Sequence, residues 1–224
     1  MKIAVLHGQN HKGNTFYITS RLLGSLNVNP EEIKEFYTND LPSCTGCLTC
    51  ILKDEELCPH RALVEPIIEA IEQADVIIAE SPNYCMDMSG QLKTFFDHMA
   101  YRWMSHRPHP AMRHKIGVAI STTAGSGAKR TAKSIERQMF WWHIGKTYRI
   151  TAIVGGEKLW KEESKVREKI NLKIEDTVKR IRRKLGRVRP RGRSKFIFEM
   201  MRGMQKGKAY NPADQKYWQD NEWI

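Results

Sequence analysis

The chain has 224 residues, of which 41% are hydrophobic and 28% are charged. This composition supports a buried core and excludes a wholly disordered chain. No apolar run approaches the roughly 20 residues of a transmembrane helix, and no secretory signal pattern opens the sequence, so we expect a cytoplasmic protein. The formal net charge is +12, and most of the excess lies after Lys158.

Five short strand candidates alternate with helical patterns over the first 155 residues. The predicted strands are residues 2–6, 33–37, 76–79, 116–120 and 148–154, and the predicted helices centre on residues 16–23, 63–71, 92–103 and 128–140. Strands that alternate with helices predict an α/β fold with a parallel sheet covered on both faces. Five strands fit the doubly wound order 2-1-3-4-5, whose ligand crevice lies at the carboxyl ends of strands 1 and 3.

The loop after the first strand, residues 8–15, reads Gly-Gln-Asn-His-Lys-Gly-Asn-Thr. Small and polar residues between a strand and a helix let backbone N–H groups converge on an anion, and the helix dipole favours negative charge there. An ordinary turn with an N-cap is the alternative interpretation. The candidate phosphate contacts are Gln9, His11, Gly13, Asn14 and Thr15.

Two further polar loops follow the third and fourth strands. Because the carboxyl ends of parallel strands meet at one edge of a sheet, all three loops should lie together. The candidate ligand contacts in the second loop are Pro82, Asn83, Tyr84 and Met86, and those in the third are Thr122, Thr123 and Gly125.

The three loops resemble those of the flavodoxin-like NAD(P)H-dependent FMN reductase family. The matching features are the Gly-Asn-Thr ending of the first loop, Ser-Pro-Asn-Tyr at 81–84 followed by Leu-Lys at 92–93 and Asp97, and the glycine-rich third loop. The resemblance implies a flavodoxin-like domain over residues 1–157, with the phosphate of FMN on the first loop and the flavin ring between the other two. The family usually opens its first loop with Gly-Ser-Pro, so this chain lacks one hydroxyl that normally contacts phosphate.

Four of the five cysteines form one compact motif, Cys44-x2-Cys47-x2-Cys50-x7-Cys58. Three cysteines spaced three apart favour an iron–sulfur site over zinc, which normally uses two separated CxxC units. The motif resembles that of the iron–sulfur flavoproteins, a branch of the same family that carries a [4Fe–4S] cluster beside FMN. Zinc and free thiols remain alternatives, since many reductases of the family carry related cysteines without a cluster.

Residues 158–224 form a basic, helical C-terminal extension. A long charged helix is predicted over 162–185, with Ile170, Ile174, Val178 and Ile181 packed on the domain. We expect the surface around Tyr101, Trp103 and Met104 to contact a partner subunit or to line the mouth of the substrate site. The apolar residues 196–201 fit a partner subunit or an anionic membrane surface, and we favour the subunit, which predicts a homodimer or larger oligomer. Nucleic acid is an improbable partner, because no nucleic-acid-binding fold is recognised.

The resemblance implies an FMN-dependent oxidoreductase that takes electrons from NAD(P)H. It would pass them to a small-molecule or protein acceptor, through a [4Fe–4S] cluster if the cysteines hold one. The cofactor carries such chemistry, so no side chain is predicted to be catalytic. The alternative is an electron-transfer flavoprotein that exchanges electrons with ferredoxin and has no nicotinamide site of its own, because a basic extension suits an acidic partner.

Overall fold

The computed structural model describes residues 1–161, 163–190, 192–207 and 211–224. Five parallel strands form one sheet in the order β2-β1-β3-β4-β5, which confirms the predicted doubly wound topology. The strands are β1 Ile3–His7, β2 Ile33–Tyr37, β3 Val76–Glu80, β4 Ile116–Thr123 and β5 Lys146–Ile153. Their register places the last residues of β1, β2 and β3 side by side, so the loops that follow leave the sheet at one edge.

Eight α-helices accompany the sheet in the described part of the chain. They are α1 Asn14–Leu26, α2 Thr49–Leu52, α3 Arg61–Gln73, α4 Gly90–His98, α5 Ala128–Trp141, α6 Lys165–Lys184, α7 Arg193–Lys206 and α8 Pro212–Asp220. The predicted start of α6, Glu162, lies outside the described residues. No helix among the described residues is long and apolar enough to cross a membrane.

The predicted bounds of several elements differ from the structure by one to five residues, most clearly at the ends of α4 and β4. The helix predicted to continue to residue 103 ends at His98 and passes into a 3-10 turn at Ala100–Arg102. Strand β4 runs three residues beyond its predicted end, because Ser121, Thr122 and Thr123 still pair with β5 despite their polar side chains.

Each face of the sheet has its own apolar core. Helices α3, α4 and α5 cover one face, and α1 and α6 cover the other. The predicted inner residue Leu63 of α3 is 54% exposed, because the helical period turns Val64 inward in its place. The predicted inner face of α6 is confirmed, since Ile170, Ile174, Val178 and Ile181 are all buried.

The rest of the extension forms a third, smaller core. Phe198 of α7 and Trp218 of α8 pack with Met104, and the indole rings of Trp103 and Trp141 stack 5.2 Å apart. The aromatic surface that we expected to meet another subunit is therefore largely covered by the chain itself. The division of the chain at residue 157 stays a prediction.

Candidate functional site

Three loops meet at the carboxyl edge of the sheet: residues 8–13 after β1, 81–89 after β3 and 124–127 after β4. The Gly8 N–H donates to the Glu80 carbonyl at 2.8 Å, and the Ser89 hydroxyl donates to the Gly8 carbonyl at 2.5 Å. A Cβ at position 8 would lie 2.8 Å from both the Glu80 carbonyl oxygen and the Ser89 Oγ. Glycine is therefore required for the first and second loops to approach this closely.

Asn83 joins the second loop to the third. Its amide nitrogen donates to the Ser126 carbonyl at 3.0 Å and to the Thr123 hydroxyl at 3.4 Å, and its amide oxygen accepts from the Thr131 hydroxyl at 2.7 Å. Its backbone N–H donates to the Thr122 carbonyl at 2.8 Å. The Asn83 side chain therefore holds the loops together, while Thr122 and Thr123, which are nearly buried, form the floor of the junction.

The first turn of α1 faces this junction without a side-chain cap. The N-cap residue is Gly13, so the first N–H groups of α1 lack both an intrahelical partner and a capping oxygen. The Thr15 side chain is buried, and the Gln9 amide donates to its hydroxyl at 3.5 Å. The Tyr84 hydroxyl donates to the Gln9 amide oxygen at 3.4 Å, which ties the first loop to the second.

Two other predicted contacts of the first loop have different surroundings. The Asn14 amide nitrogen donates to the Glu157 carbonyl at 2.9 Å, and its oxygen accepts from the Leu159 N–H at 3.0 Å. Asn14 can therefore offer an anion its backbone N–H more readily than its side chain. His11 is exposed, and its carbonyl accepts from the Gly13 N–H at 3.0 Å.

The second loop ends in a tight turn whose tip faces solvent. Tyr84 and Asp87 exchange two backbone hydrogen bonds of 2.9 Å, and the intervening Cys85 and Met86 have φ of 48° and 67°. Both values lie in the left-handed region, which side chains other than those of glycine, asparagine and aspartate rarely occupy. Tyr84 and Met86 are half-exposed at this tip and can cover the face of a flat ligand, whereas Pro82 is partly buried behind them.

A buried charged cluster that the sequence analysis did not identify lies beneath the first loop. His7 Nδ1 lies 3.0 Å from a Glu80 carboxylate oxygen, and its Nε2 lies 2.8 Å from Glu35. Burial alone would lower the pKa of His7, but the hydrogen bonds and charges of Glu80 and Glu35 together outweigh it and raise that pKa. The sequence does carry a signal for this cluster, because His7 and Glu80 are the last residues of two apolar strands that pair in register.

The four cysteines of the motif line one cavity next to α2 and α4. Cys44 and Cys47 are exposed, and Cys50 and Cys58 are partly buried. Burial and the charges of the other three thiols raise the pKa of Cys50 to about 11, whereas hydrogen bonds from Thr49 and Thr45 lower the pKa of Cys47 to about 7. Among the described residues, no group of three or more histidine, cysteine, aspartate or glutamate side chains is arranged to hold a single metal ion.

The C-terminal helix α8 holds the cysteine segment in place. The Arg107 guanidinium, which is 4% exposed, donates to the carbonyls of Cys50 and Ile51 and pairs with Asp214 of α8 at 2.6 Å. Asn211, the N-cap of α8, donates to the same Ile51 carbonyl at 2.6 Å. This link was not predicted from the sequence, because Arg107 and Asp214 lie more than 100 residues apart in the chain.

Comparison with known proteins gives relatives of one kind. An iron–sulfur flavoprotein of Archaeoglobus fulgidus is 28% identical over 127 residues, covering 56% of this chain and 55% of the relative, so the match spans about half of that protein. An iron–sulfur flavoprotein of Methanocaldococcus jannaschii is 30% identical over 141 residues, covering 60% of this chain and 69% of the relative.

Solved structures share the fold at low sequence identity. An apo NADH:FMN oxidoreductase has a TM-score of 0.57 at 15% identity, covering 80% of this chain and 89% of that one. An FMN-dependent NADH-azoreductase of Bacillus anthracis has a TM-score of 0.59 at 10% identity, covering 81% and 99%. The family model described as NADPH-dependent FMN reductase matches residues 1–156. The chain therefore belongs to the NADPH-dependent FMN reductase family.

Proposed function

We propose that this protein binds FMN at the carboxyl edge of its sheet, oxidises NADPH and delivers the electrons to a second acceptor. The observation that carries the proposal is the junction of three hydrogen-bonded loops with the uncapped first turn of α1. FMN would supply the hydride and single-electron chemistry when bound. The protein's own task is then to bind the cofactor, orient it and leave one ring face open.

The phosphate of FMN fits the start of α1. The N–H groups of Asn14 and Thr15 are free for an anion, and the dipole of a 13-residue helix favours negative charge at this end. Among the described residues the buried Thr15 hydroxyl has one hydrogen bond, the long one from Gln9, so it can donate to a phosphate oxygen. The side chains of Tyr84 and Met86 are exposed at the edge of the loop junction, where they could contact the flavin ring. Open space beside Gly125 could take part of the ring.

Two threonines of α1 give a matched test of this placement. Thr15→Val removes a hydroxyl that we place on the phosphate, so FMN affinity should fall by about 1.5–3 kcal/mol. Thr19→Val is the control, because Thr19 is also buried and its hydroxyl has no partner in the described residues. Fluorescence titration of the apoprotein measures both, and equal affinities for the two variants would refute the placement.

NADPH oxidation is tested directly with the FMN-loaded protein. Anaerobic addition of NADPH should bleach the flavin absorbance band, and air or an added acceptor should restore it. A bound flavin that NADPH does not reduce would favour the electron-transfer alternative, in which ferredoxin supplies the electrons.

We also propose that Cys44, Cys47, Cys50 and Cys58 hold a [4Fe–4S] cluster. The donor set fits, because four thiolates from one short segment line one cavity and iron–sulfur clusters take cysteine thiolates. The four thiolates of such a cluster bind four different irons, so they lie farther apart than the ligands of one ion. The relatives named iron–sulfur flavoproteins support the same assignment.

Protein purified without oxygen should contain about four iron and four sulfide per chain. Cys47→Ser should remove most of that iron and leave the FMN content unchanged. Cys85→Ser is the control, since Cys85 lies in the turn of the second loop and not in the cysteine cavity. Anaerobic protein with full FMN and no iron would refute the cluster.

A further inference from the structure

A second cleft lies beside the loop junction, between α5 and the start of α7. Its volume is about 470 Å³, within the usual range of small-molecule sites. Asp87, which closes the turn of the second loop, lines one end, and Arg193 of α7 lines the other. The family match ends at residue 156, so the C-terminal extension supplies part of this wall.

The floor of the cleft carries cations without acidic partners. Arg130, Lys133 and Arg137 lie three and four residues apart on one exposed face of α5, and they span about 10 Å at 1.5 Å per residue. In the described part of the chain none of them pairs with a carboxylate, and Arg137 contacts only the Ser134 hydroxyl, at 3.4 Å. A cleft lined by charges of one sign raises the local concentration of oppositely charged ligands, so this row of cations favours an anion.

Both carboxylates of the cleft are already engaged. Glu136 accepts from the Thr147 hydroxyl at 2.6 Å and pairs with Arg149 at 3.4 Å. Asp87 accepts from the backbone N–H of Met88 at 2.7 Å. Arg149 neutralises Glu136, so among the described residues Asp87 is the one carboxylate set against the four arginine and lysine side chains that line the cleft, and the net charge that faces a ligand is positive.

Aromatic rings lie next to the cations. The Arg193 guanidinium lies 5.1 Å from the centre of the Phe140 ring, and Trp141 is partly exposed at the same wall. Aromatic and guanidinium planes together form a surface on which a nucleobase can stack. A ligand with several phosphates and a purine matches this combination of charge and planar surface.

We propose that the cleft between α5 and α7 binds the adenosine end of NADPH, with its phosphates on the α5 cations and its purine at Phe140 and Trp141. The proposal rests on the proposed function, because the turn at Tyr84–Asp87 joins the cleft to the flavin edge. A 2′-phosphate carries about −1.5 to −2 charge at neutral pH. The unpaired cations therefore select NADPH over NADH, and arginine binds phosphate with two parallel hydrogen bonds.

The test uses adenosine 2′,5′-bisphosphate and the full chain. Arg130→Gln/Arg137→Gln should weaken its binding by about tenfold or more, since two charge-assisted contacts are removed. The control is Lys179→Gln/Arg183→Gln, which removes the same charge from an exposed face of α6 outside the cleft. Equal affinity of the two double variants, measured by isothermal titration calorimetry, would overturn the site.

This probe has no nicotinamide, so its binding does not depend on FMN or turnover. Failure of the proposed function would appear separately, as absence of FMN or of NADPH oxidation. In steady-state assays the α5 double variant should raise the KM for NADPH more than the KM for NADH, because the two dinucleotides share the diphosphate and only NADPH carries the 2′-phosphate. A rise in the KM for the acceptor alone would assign the cleft to the acceptor and overturn the proposal.

Discussion

The replacement Asp214→Asn tests how strongly the C-terminal helix holds the cysteine segment. Asp214 is 1% exposed and receives two charge-assisted bonds, from Arg107 at 2.6 Å and from His106 at 2.7 Å. Asparagine keeps the size of the side chain and removes its charge. The variant therefore leaves the Arg107 guanidinium buried with less negative charge beside it.

The expected loss follows from the burial of the pair. Removing one partner of a buried ion pair costs about 3–5 kcal/mol. Arg107 keeps Glu55 at 3.1 Å and its carbonyl acceptors, so we expect the lower end, about 3 kcal/mol. A chain of this size loses about 2–4 °C in Tm per kcal/mol, which gives a fall of about 6–12 °C.

The assay combines thermal unfolding with thiol labelling. Asp220→Asn is the control on the same helix, because Asp220 pairs with Lys216 at the surface and such pairs contribute at most about 1 kcal/mol. In iron-free protein of the Asp214 variant, the partly buried Cys50 should also react faster with a thiol reagent. Equal Tm values and equal Cys50 labelling rates in the two variants would refute the argument.

Three further predictions concern pH and the loop junction. The pKa of His7 is raised, so the contribution of His7 to stability is complete below pH 6.5 and is lost as pH rises through its higher pKa in the folded state. His7→Gln should therefore flatten that part of a plot of the urea unfolding midpoint against pH. Burial, then the charges of Arg113 and His114, lower the pKa of His143 to about 4, so stability should fall as pH drops from 6.5 toward 4, and His143→Asn should reduce this slope. Gly127→Ala should weaken FMN binding in a fluorescence titration, because φ there is +102° and the new Cβ would lie 2.6 Å from the Asn83 amide oxygen. Gly24→Ala near the end of α1, where the new Cβ has no atom within 4 Å, should not.

The topology could be predicted from the sequence because β1, β3 and most of β4 are short apolar runs, and β2 and β5 are short strand patterns that alternate with helical patterns. The loop junction could be predicted as well, since parallel strands bring their following loops to one edge. The individual side-chain contacts of this junction could not be predicted. The Asn83 side chain forms three hydrogen bonds, to the end of β4, the third loop and α5, which no local pattern indicates. Its contact with the flavin stays a prediction.

The contacts of the C-terminal extension could be predicted even less well than those of the loops. Its charge pattern predicted one amphipathic helix correctly, since a helical face repeats within a few residues. Contacts of α7 and α8 depend on side chains far away in the chain, such as Met104 with Phe198 and Arg107 with Asp214. A basic segment with exposed apolar residues therefore suggested a partner subunit, although Phe198 and Trp218 are buried within the chain.

The cysteine segment needs this distant support, because it cannot fix its own conformation. Helix α2 has four residues, too few to be stable alone, and two of the four cysteines are exposed. Its last carbonyls are satisfied by Arg107 and by Asn211, the latter 160 residues away in sequence. Asp214, together with Glu55, then neutralises the guanidinium of Arg107, which is buried against the cysteine segment. The geometry of the cysteine cavity therefore depends on the C-terminal helix, whereas the loops of the proposed flavin site are held by bonds among themselves.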